Sequence, residues 1–152
     1  GIYANSHEII HVLMYQYPHY GPMAEGLAQC FQESGNKKPL SRSKVKNVNL
    51  AAKRKYKHIK MKDVLLDFKN HRDYHMAASF VFFHLFAYKK KYRKKFIPLL
   101  KKLTRGKTKD DFLKLYAQQL GFPLETGITE WEQWIRKVRK GSKIYTQWNK
   151  KI

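Results

Sequence analysis

The apolar residues of this chain recur at spacings of three and four along most of its length, which is the period of an amphipathic or buried helix. No two segments show the period-two alternation of a strand pair, and no internal repeat is visible. The pattern therefore predicts a mainly α fold. The predicted helices cover residues 3–16, 22–34, 61–69, 74–90, 92–104 and 108–121, with a last helix running from Gly127 or Thr129 to Lys140.

Residues that start and stop helices mark several of these boundaries. Pro18 and Gly21 interrupt the first helix, and Pro22 suits the first turn of the second one because its missing N–H is not needed there. Thr108 precedes two aspartates, which predicts an N-cap with negative charge at the positive end of a helix. Gly121 is expected to end that helix.

Length and composition are those of one folded domain. The chain has 152 residues, of which 43% are hydrophobic and 14% aromatic, so it is expected to bury a core. Its single cysteine, Cys30, excludes an internal disulfide and is interpreted as a small buried residue. No apolar run reaches the length of a transmembrane helix.

Charge is distributed very unevenly. The formal net charge is +21, yet residues 1–36 contain no Lys or Arg. Such a field favours acidic partners such as nucleic acid, anionic lipid, acidic peptide or polyanionic glycan, although a solvated basic surface without a specific partner explains it equally well. The candidate polyanion-binding residues are Lys53, Arg54, Lys55, Lys57, Lys89, Lys90, Lys91 and Arg93.

The first helix carries a potential metal site. Residues 7–11 read His-Glu-Ile-Ile-His, and histidines four apart lie about 40° apart around a helix, so His7 and His11 are able to bind one metal ion. Glu8 points aside, where a carboxylate holds a metal-bound water. Zinc in a catalytic site takes a third protein ligand and leaves one position open, and Glu25 on the next helix is the candidate. As an accident of sequence, the same string would be two core histidines and a buried or paired glutamate.

This string, followed by Met-Ala-Glu-Gly-Leu-Ala-Gln at residues 23–29, resembles the gluzincin zinc metallopeptidases, the thermolysin-like group whose third ligand is a glutamate on a following helix. More narrowly, it is similar to bacterial peptidase-MA-like domains, in which Trp-Leu-x-Glu-Gly-Leu-Ala-Glu-Tyr follows the histidine helix. The similarity continues through the helix at 74–81, the leucine-rich segment at 96–106, and Leu120-Gly121-Phe122 with the tryptophan helix. It covers most of residues 3–140.

The resemblance implies the helical (C-terminal) subdomain of a zincin-type metallopeptidase, with the N-terminal sheet absent or truncated. It divides the single metallopeptidase-like domain, residues 1–152, into zinc-site helices at 1–36, a basic insertion at 37–62, a helical subdomain at 63–141 and a tail at 142–152. It also implies a peptide or protein substrate, and it favours an exported (periplasmic, cell-surface or secreted) location.

The same resemblance implies roles for individual residues. Zn²⁺ would be bound by His7, His11 and Glu25, would lower the pKa of its water and would polarise the scissile carbonyl. Glu8 would act as general base and then as general acid. Gln29 stands where relatives often carry an acid, and its amide oxygen would accept the N–H of a histidine ligand.

Two positions have competing candidates. The residue that steadies the oxyanion is expected to be Tyr74, with His75 and His71 as alternatives. The structural interpretation of Tyr74 is that it caps or packs its own helix. His19 competes with Glu25 as third ligand. His84, on an apolar face, is interpreted as a hydrogen-bonded core residue.

Two functions follow. The first is a zinc-dependent metallopeptidase. The alternative is a catalytically degenerate zincin-like module that binds polyanions or a protein partner through its basic surface. A DNA-associated metalloprotease would combine both, but its third ligand is usually histidine, which Glu25 does not match.

Overall fold

A computed structural model describes residues 18–31, 59–68 and 71–140, and within these ranges the chain forms six helices and no strand. The mainly α prediction is therefore confirmed. The predicted helix at 3–16 lies outside the described residues. The observed helices are α1 (Gly21–Phe31), α2 (Met61–Leu66), α3 (His71–Lys90), α4 (Arg93–Lys102), α5 (Lys109–Leu120) and α6 (Leu124–Lys140).

Helix α3 forms the centre of the described structure. Every side chain from Met76 to Ala87 is buried, so this segment is covered on all sides and not along one stripe. It packs against α1, α2, α4 and α6, and its contact with α1 is the most extensive between any two described helices. The position of α1, which carries Glu25, is therefore set mainly by α3. None of the described helices is both long and apolar enough to cross a bilayer.

Tyr20 anchors the start of α1. Its hydroxyl donates a hydrogen bond of 2.6 Å to the Leu65 carbonyl at the end of α2. Its ring stacks on Phe112 of α5 with centroids 4.7 Å apart. Burial raises the pKa of Tyr20 to about 12, so the hydroxyl stays protonated and remains a donor at ordinary pH. Pro22 lies in the first turn of α1, as predicted.

The predicted boundaries of α5 are confirmed by its capping groups. The Thr108 hydroxyl accepts from the Asp111 backbone N–H at 3.1 Å, and the Asp111 carboxylate accepts from the Thr108 N–H at 2.9 Å. The two bonds form a capping box. Gly121 closes the helix in the left-handed conformation with φ 83°.

The predicted start of α6 is wrong. The helix begins at Leu124, before both Gly127 and Thr129, and the Gly127 N–H donates to the Pro123 carbonyl at 3.3 Å within its first turn. A contact between two helices explains why residue 127 is a glycine. A Cβ at this position would collide with the hydroxyl of Tyr116 on α5, so the glycine allows α5 and α6 to approach at that point.

We expect Gly127→Ala to lower the free energy of unfolding by about 2 kcal/mol, because the added methyl group overpacks a closed contact. Urea unfolding of the full chain measures this loss. In a Tyr116→Phe background the same substitution should cost less, since the colliding oxygen is gone. Gly21→Ala is the matched control, because a Cβ there meets nothing within 4 Å. Equal costs in both backgrounds would contradict the packing explanation.

The end of α3 was not predicted. The sequence indicates one uninterrupted helix from 74 to 90, whereas the chain leaves helical geometry at Ala87, with ψ 151°. Tyr88, Lys89 and Lys90 then have φ of 51°, 57° and 66°, a left-handed turn made without glycine. Each such residue is strained by about 1–2 kcal/mol. The turn reverses the chain into α4.

Candidate functional site

The predicted zinc site is only partly contained in the described structure. His7, Glu8 and His11 lie outside the described residues, so their geometry relative to Glu25 is untested. Glu25 itself lies on α1 and is exposed to solvent. Within residues 18–31, 59–68 and 71–140, no group of three His, Cys, Asp or Glu side chains is arranged to hold a metal ion. Such a group would need ligands from the rest of the chain.

Glu25 lies on the exposed face of α1 together with Gln29. The two residues are four apart, hence one helical turn from each other on the same side, and Gln29 is half-buried. Gly21, Ala24 and Ala28 complete this face, with Ala24 half-buried and the other two exposed. These neighbours are small, and the Glu25 side chain among them is exposed.

The opposite face of α1 is held close to α3 by a glycine. A Cβ at Gly26 would lie 2.9 Å from the backbone carbon and oxygen of Ala77, closer than real Cβ contacts allow. The small residue beside Glu25 thus permits a close helix contact, and the helix that approaches is α3. Because Glu25 directly precedes Gly26, this contact fixes the backbone that carries the carboxylate.

Tyr74, the predicted oxyanion-binding residue, lies near the same contact. It is three residues before Ala77 on α3, which is about one helical turn from the point where Gly26 touches that helix. Its half-buried ring stacks on Phe68 with centroids 4.8 Å apart and an interplanar angle of 14°. The ring thus packs on a residue that lies before α3, and the proposed catalytic role stays a prediction.

The other candidate histidines of the proposed site are His75, His71 and His19. His75 is half-buried on α3, and the side chain of His71 lies outside the description. His19 is exposed in the segment before α1, and its backbone N–H donates to the Leu103 carbonyl at 2.8 Å. No described contact distinguishes His19 from Glu25 as a ligand.

His84 is a core residue with both ring nitrogens hydrogen-bonded, as predicted. Nδ1 lies 2.8 Å from the Phe80 carbonyl oxygen and must donate to it, because a carbonyl only accepts. Nε2 therefore accepts, and its donor is the Tyr116 hydroxyl at 2.7 Å. Burial lowers the pKa of His84 to about 4, against the smaller opposing effect of the Phe80 bond. Burial also raises the pKa of Tyr116, so the pair stays neutral at pH 7.

The basic cluster is less uniform than the sequence suggests. Lys89 and Lys91 are exposed and Lys90 is half-buried, whereas Arg93 is only 8% exposed. The prediction of a surface role for Arg93 therefore needs correction. Its Nε donates to the Leu85 carbonyl at 2.8 Å, and its guanidinium lies over the Phe86 ring at 4.8 Å. The other four candidates, Lys53, Arg54, Lys55 and Lys57, lie outside the described residues.

Nothing in the local sequence distinguishes Arg93 from its basic neighbours. It belongs to the run Lys89-Lys90-Lys91-Tyr92-Arg93-Lys94-Lys95, in which charge alone predicts a solvated surface. The left-handed turn at Tyr88–Lys90 decides which of these cations faces inward. That turn contains no glycine or asparagine, so the usual sequence signal for positive φ is missing.

Comparison of the chain with protein-family models, with curated proteins and with solved structures found no match in any of the three.

Proposed function

We propose that this protein is a zinc-dependent metallopeptidase in which His7, His11 and Glu25 bind the metal and Glu8 acts on the metal-bound water. The observation that carries the proposal is the His-Glu-Ile-Ile-His string followed by a glutamate that lies exposed on a fixed helix. On the predicted helix, histidines at i and i+4 would face one direction, as a shared metal requires. An open coordination position would then admit water or substrate.

The surroundings of Glu25 support this role. The Glu25 side chain is exposed and does not pack in the core, because it lies on the side of α1 that faces away from α3. The small residues around it would allow a second helix to approach closely. Gln29, one turn further along the same face, is spaced to accept the ring N–H of a histidine that binds the metal.

The chemistry assigned to each group is that of metal-assisted hydrolysis. Zinc, when bound, would lower the pKa of a water molecule and polarise the carbonyl of the scissile peptide. Glu8 would take the proton from the attacking water and transfer it to the leaving amine. Tyr74 is the proposed donor to the oxyanion, as the resemblance to gluzincins implies.

We expect the purified full chain to retain about one zinc ion, measured by elemental analysis after removal of free metal. His11→Ala and Glu25→Ala should lose the ion, because two protein ligands hold zinc poorly. Glu132→Ala, an exposed glutamate on α6, is the matched control and should keep it. Zinc-loaded protein should cleave an unfolded protein substrate, lose activity to a chelator and regain it with added zinc. Equal zinc retention by Glu25→Ala and the parent would contradict the ligand assignment.

A second candidate is the polyanion-binding module, favoured by the exposure of Lys89, Lys91, Lys94 and Lys95 around the junction of α3 and α4. Several like charges at one surface raise the local potential and attract polyanions. This alternative requires neither stoichiometric zinc nor hydrolysis. The zinc measurement therefore distinguishes the two functions.

A further inference from the structure

Four exposed lysines occupy the outward side of α4. They are Lys94, Lys95, Lys101 and Lys102. On the opposite side of the helix, Phe96, Leu99 and Leu100 are fully buried in the core. The four lysine side chains therefore form one solvent-accessible surface, which we call the lysine face.

Helical spacing arranges the lysine face in two parallel rows. Residues seven apart lie about 20° from each other around a helix and about 10 Å apart along its axis, so Lys94 aligns with Lys101 and Lys95 with Lys102. The two rows lie about 100° apart, because adjacent residues of a helix differ by that angle. Pro98 lies between the rows and is half-buried. The lysine face thus presents two lines of positive charge.

The charges of the lysine face have no counterion in the described part of the chain. No carboxylate there lies within ion-pairing distance of these lysines, although one does pair Lys62 with Glu125. Residues 89–109 contain eleven basic residues and no acid. Lys94 and Lys95 lie in the first turn of α4, at the positive end of its dipole, where cations destabilise a helix. Helix stability therefore does not explain these two lysines, and an anionic partner does.

The apolar residues of α4 disfavour a lipid bilayer and an acidic peptide as that partner. A helix that binds a bilayer inserts its apolar side among the lipids, but the apolar side of α4 packs in the core. Peptide and protein partners are held mainly by anchor side chains in desolvated pockets. On α4, the apolar residues with any substantial exposure are Ile97 and Pro98, and both are half-buried. Contacts with the phosphates of a nucleic acid need neither insertion nor pockets.

The shape of the lysine face favours a duplex over a single strand. Proteins hold single strands largely by stacking the bases on exposed aromatic rings. The aromatic residue of α4, Phe96, is buried, so the lysine face offers no such ring. Two rows of lysines instead match the two phosphate strands that border a groove. No other polar side chain lies between the rows to read base edges, so we expect little dependence on base sequence.

We propose that the lysine face of α4 binds the phosphate backbone of double-stranded nucleic acid, with one row of lysines on each strand. The inference rests on the polyanion-binding function and not on the zinc site, and it narrows that function to one surface and one class of partner. Each lysine releases a counterion from a phosphate, so the affinity falls steeply as salt is added.

The test is titration of a short, fluorescently labelled DNA duplex with the full chain at several salt concentrations, followed by anisotropy. The double variant Lys94→Gln with Lys101→Gln should bind about tenfold more weakly at low salt, and its slope of log affinity against log salt should be shallower by about 1.8, because two phosphate contacts are lost. Lys95→Gln with Lys102→Gln should have the same effect. Glutamine removes the charge and keeps a similar helix propensity.

Lys60→Gln with Lys62→Gln is the matched control. It removes the same charge from two exposed lysines at the start of α2, a helix that packs mainly on α1, α3 and α6. The control should leave the duplex affinity within about twofold of the parent, since salt screens charges that do not contact the duplex. Equal weakening by the control would show that net charge holds the duplex, and the lysine face would be rejected as the site.

Other probes test the choice of partner. A single strand of the same sequence, vesicles rich in phosphatidylserine, or polyglutamate that binds as tightly as the duplex would overturn the proposal, as would an affinity that does not change with salt. Heparin binding without duplex binding would overturn it too, while the broader polyanion-binding function would stand. Glu25→Ala should bind the duplex as the parent does, so the failure of the zinc site and the failure of the lysine face are distinguishable.

Discussion

Replacing Glu8 by glutamine is expected to reduce kcat for peptide hydrolysis by about 10²–10⁴-fold while zinc content stays unchanged. Glutamine keeps the shape of the side chain and a hydrogen bond to the metal-bound water, but it cannot accept the proton of that water. The zinc ligands are untouched, so the metal should remain. Comparison of kcat and zinc content in the parent and the variant measures both effects.

Glu132→Gln is the control for this substitution, since it makes the same chemical change at an exposed position on α6. It should hydrolyse substrate at the parent rate. A Glu8→Gln protein that cleaves as fast as the parent would show that the general base lies elsewhere. A Glu8→Gln protein without zinc would instead show that Glu8 holds the metal, and the ligand set would have to be redrawn.

We expect the folded protein to lose stability in acid because His84 is buried in its neutral form. The pKa of His84 is about 4 in the folded chain and 6.5 when solvated. Between these values the unfolded chain binds a proton that the folded chain does not, so stability rises with pH across this window. The contribution is fully present above about pH 6.5 and is lost as the pH falls toward 4. The shift corresponds to about 3 kcal/mol.

Measurement of this effect needs a reference, because carboxylates and the high net charge also change stability in acid. In the double variant His84→Phe with Tyr116→Phe, both hydrogen-bonding groups are replaced by rings of similar size. The difference in unfolding free energy between parent and double variant should therefore change by about 3 kcal/mol between pH 7 and pH 4. Urea unfolding at several pH values gives that difference.

Leu100→Ala serves as the control for general destabilisation. Leu100 is fully buried on α4, and its truncation should cost about 2–5 kcal/mol at every pH without changing the pH dependence. If the double variant and the parent lose stability in parallel as the pH falls, His84 does not titrate as its burial requires.

Local signals in the sequence were sufficient for much of the fold. The boundaries of α5 follow from Thr108 and Gly121, because a cap and a left-handed glycine act through bonds to residues three or four positions away. The apolar character of residues 76–87 likewise predicts burial of α3. The apolar face around His84 also predicts its place in the core, whereas its partner Tyr116 lies 32 residues away and only the tertiary structure identifies it.

What the sequence by itself determined is the helical content and the positions of most helices, since both depend on short-range periodicity and on local start and stop signals. The tertiary structure alone decided that Gly127 lies inside α6 against Tyr116 and that Gly26 holds α1 against α3. Only the tertiary structure distinguishes the buried Arg93 side chain from the more exposed lysines around it. Contacts between helices and a strained turn determine these features, and neither produces a periodic pattern in the sequence.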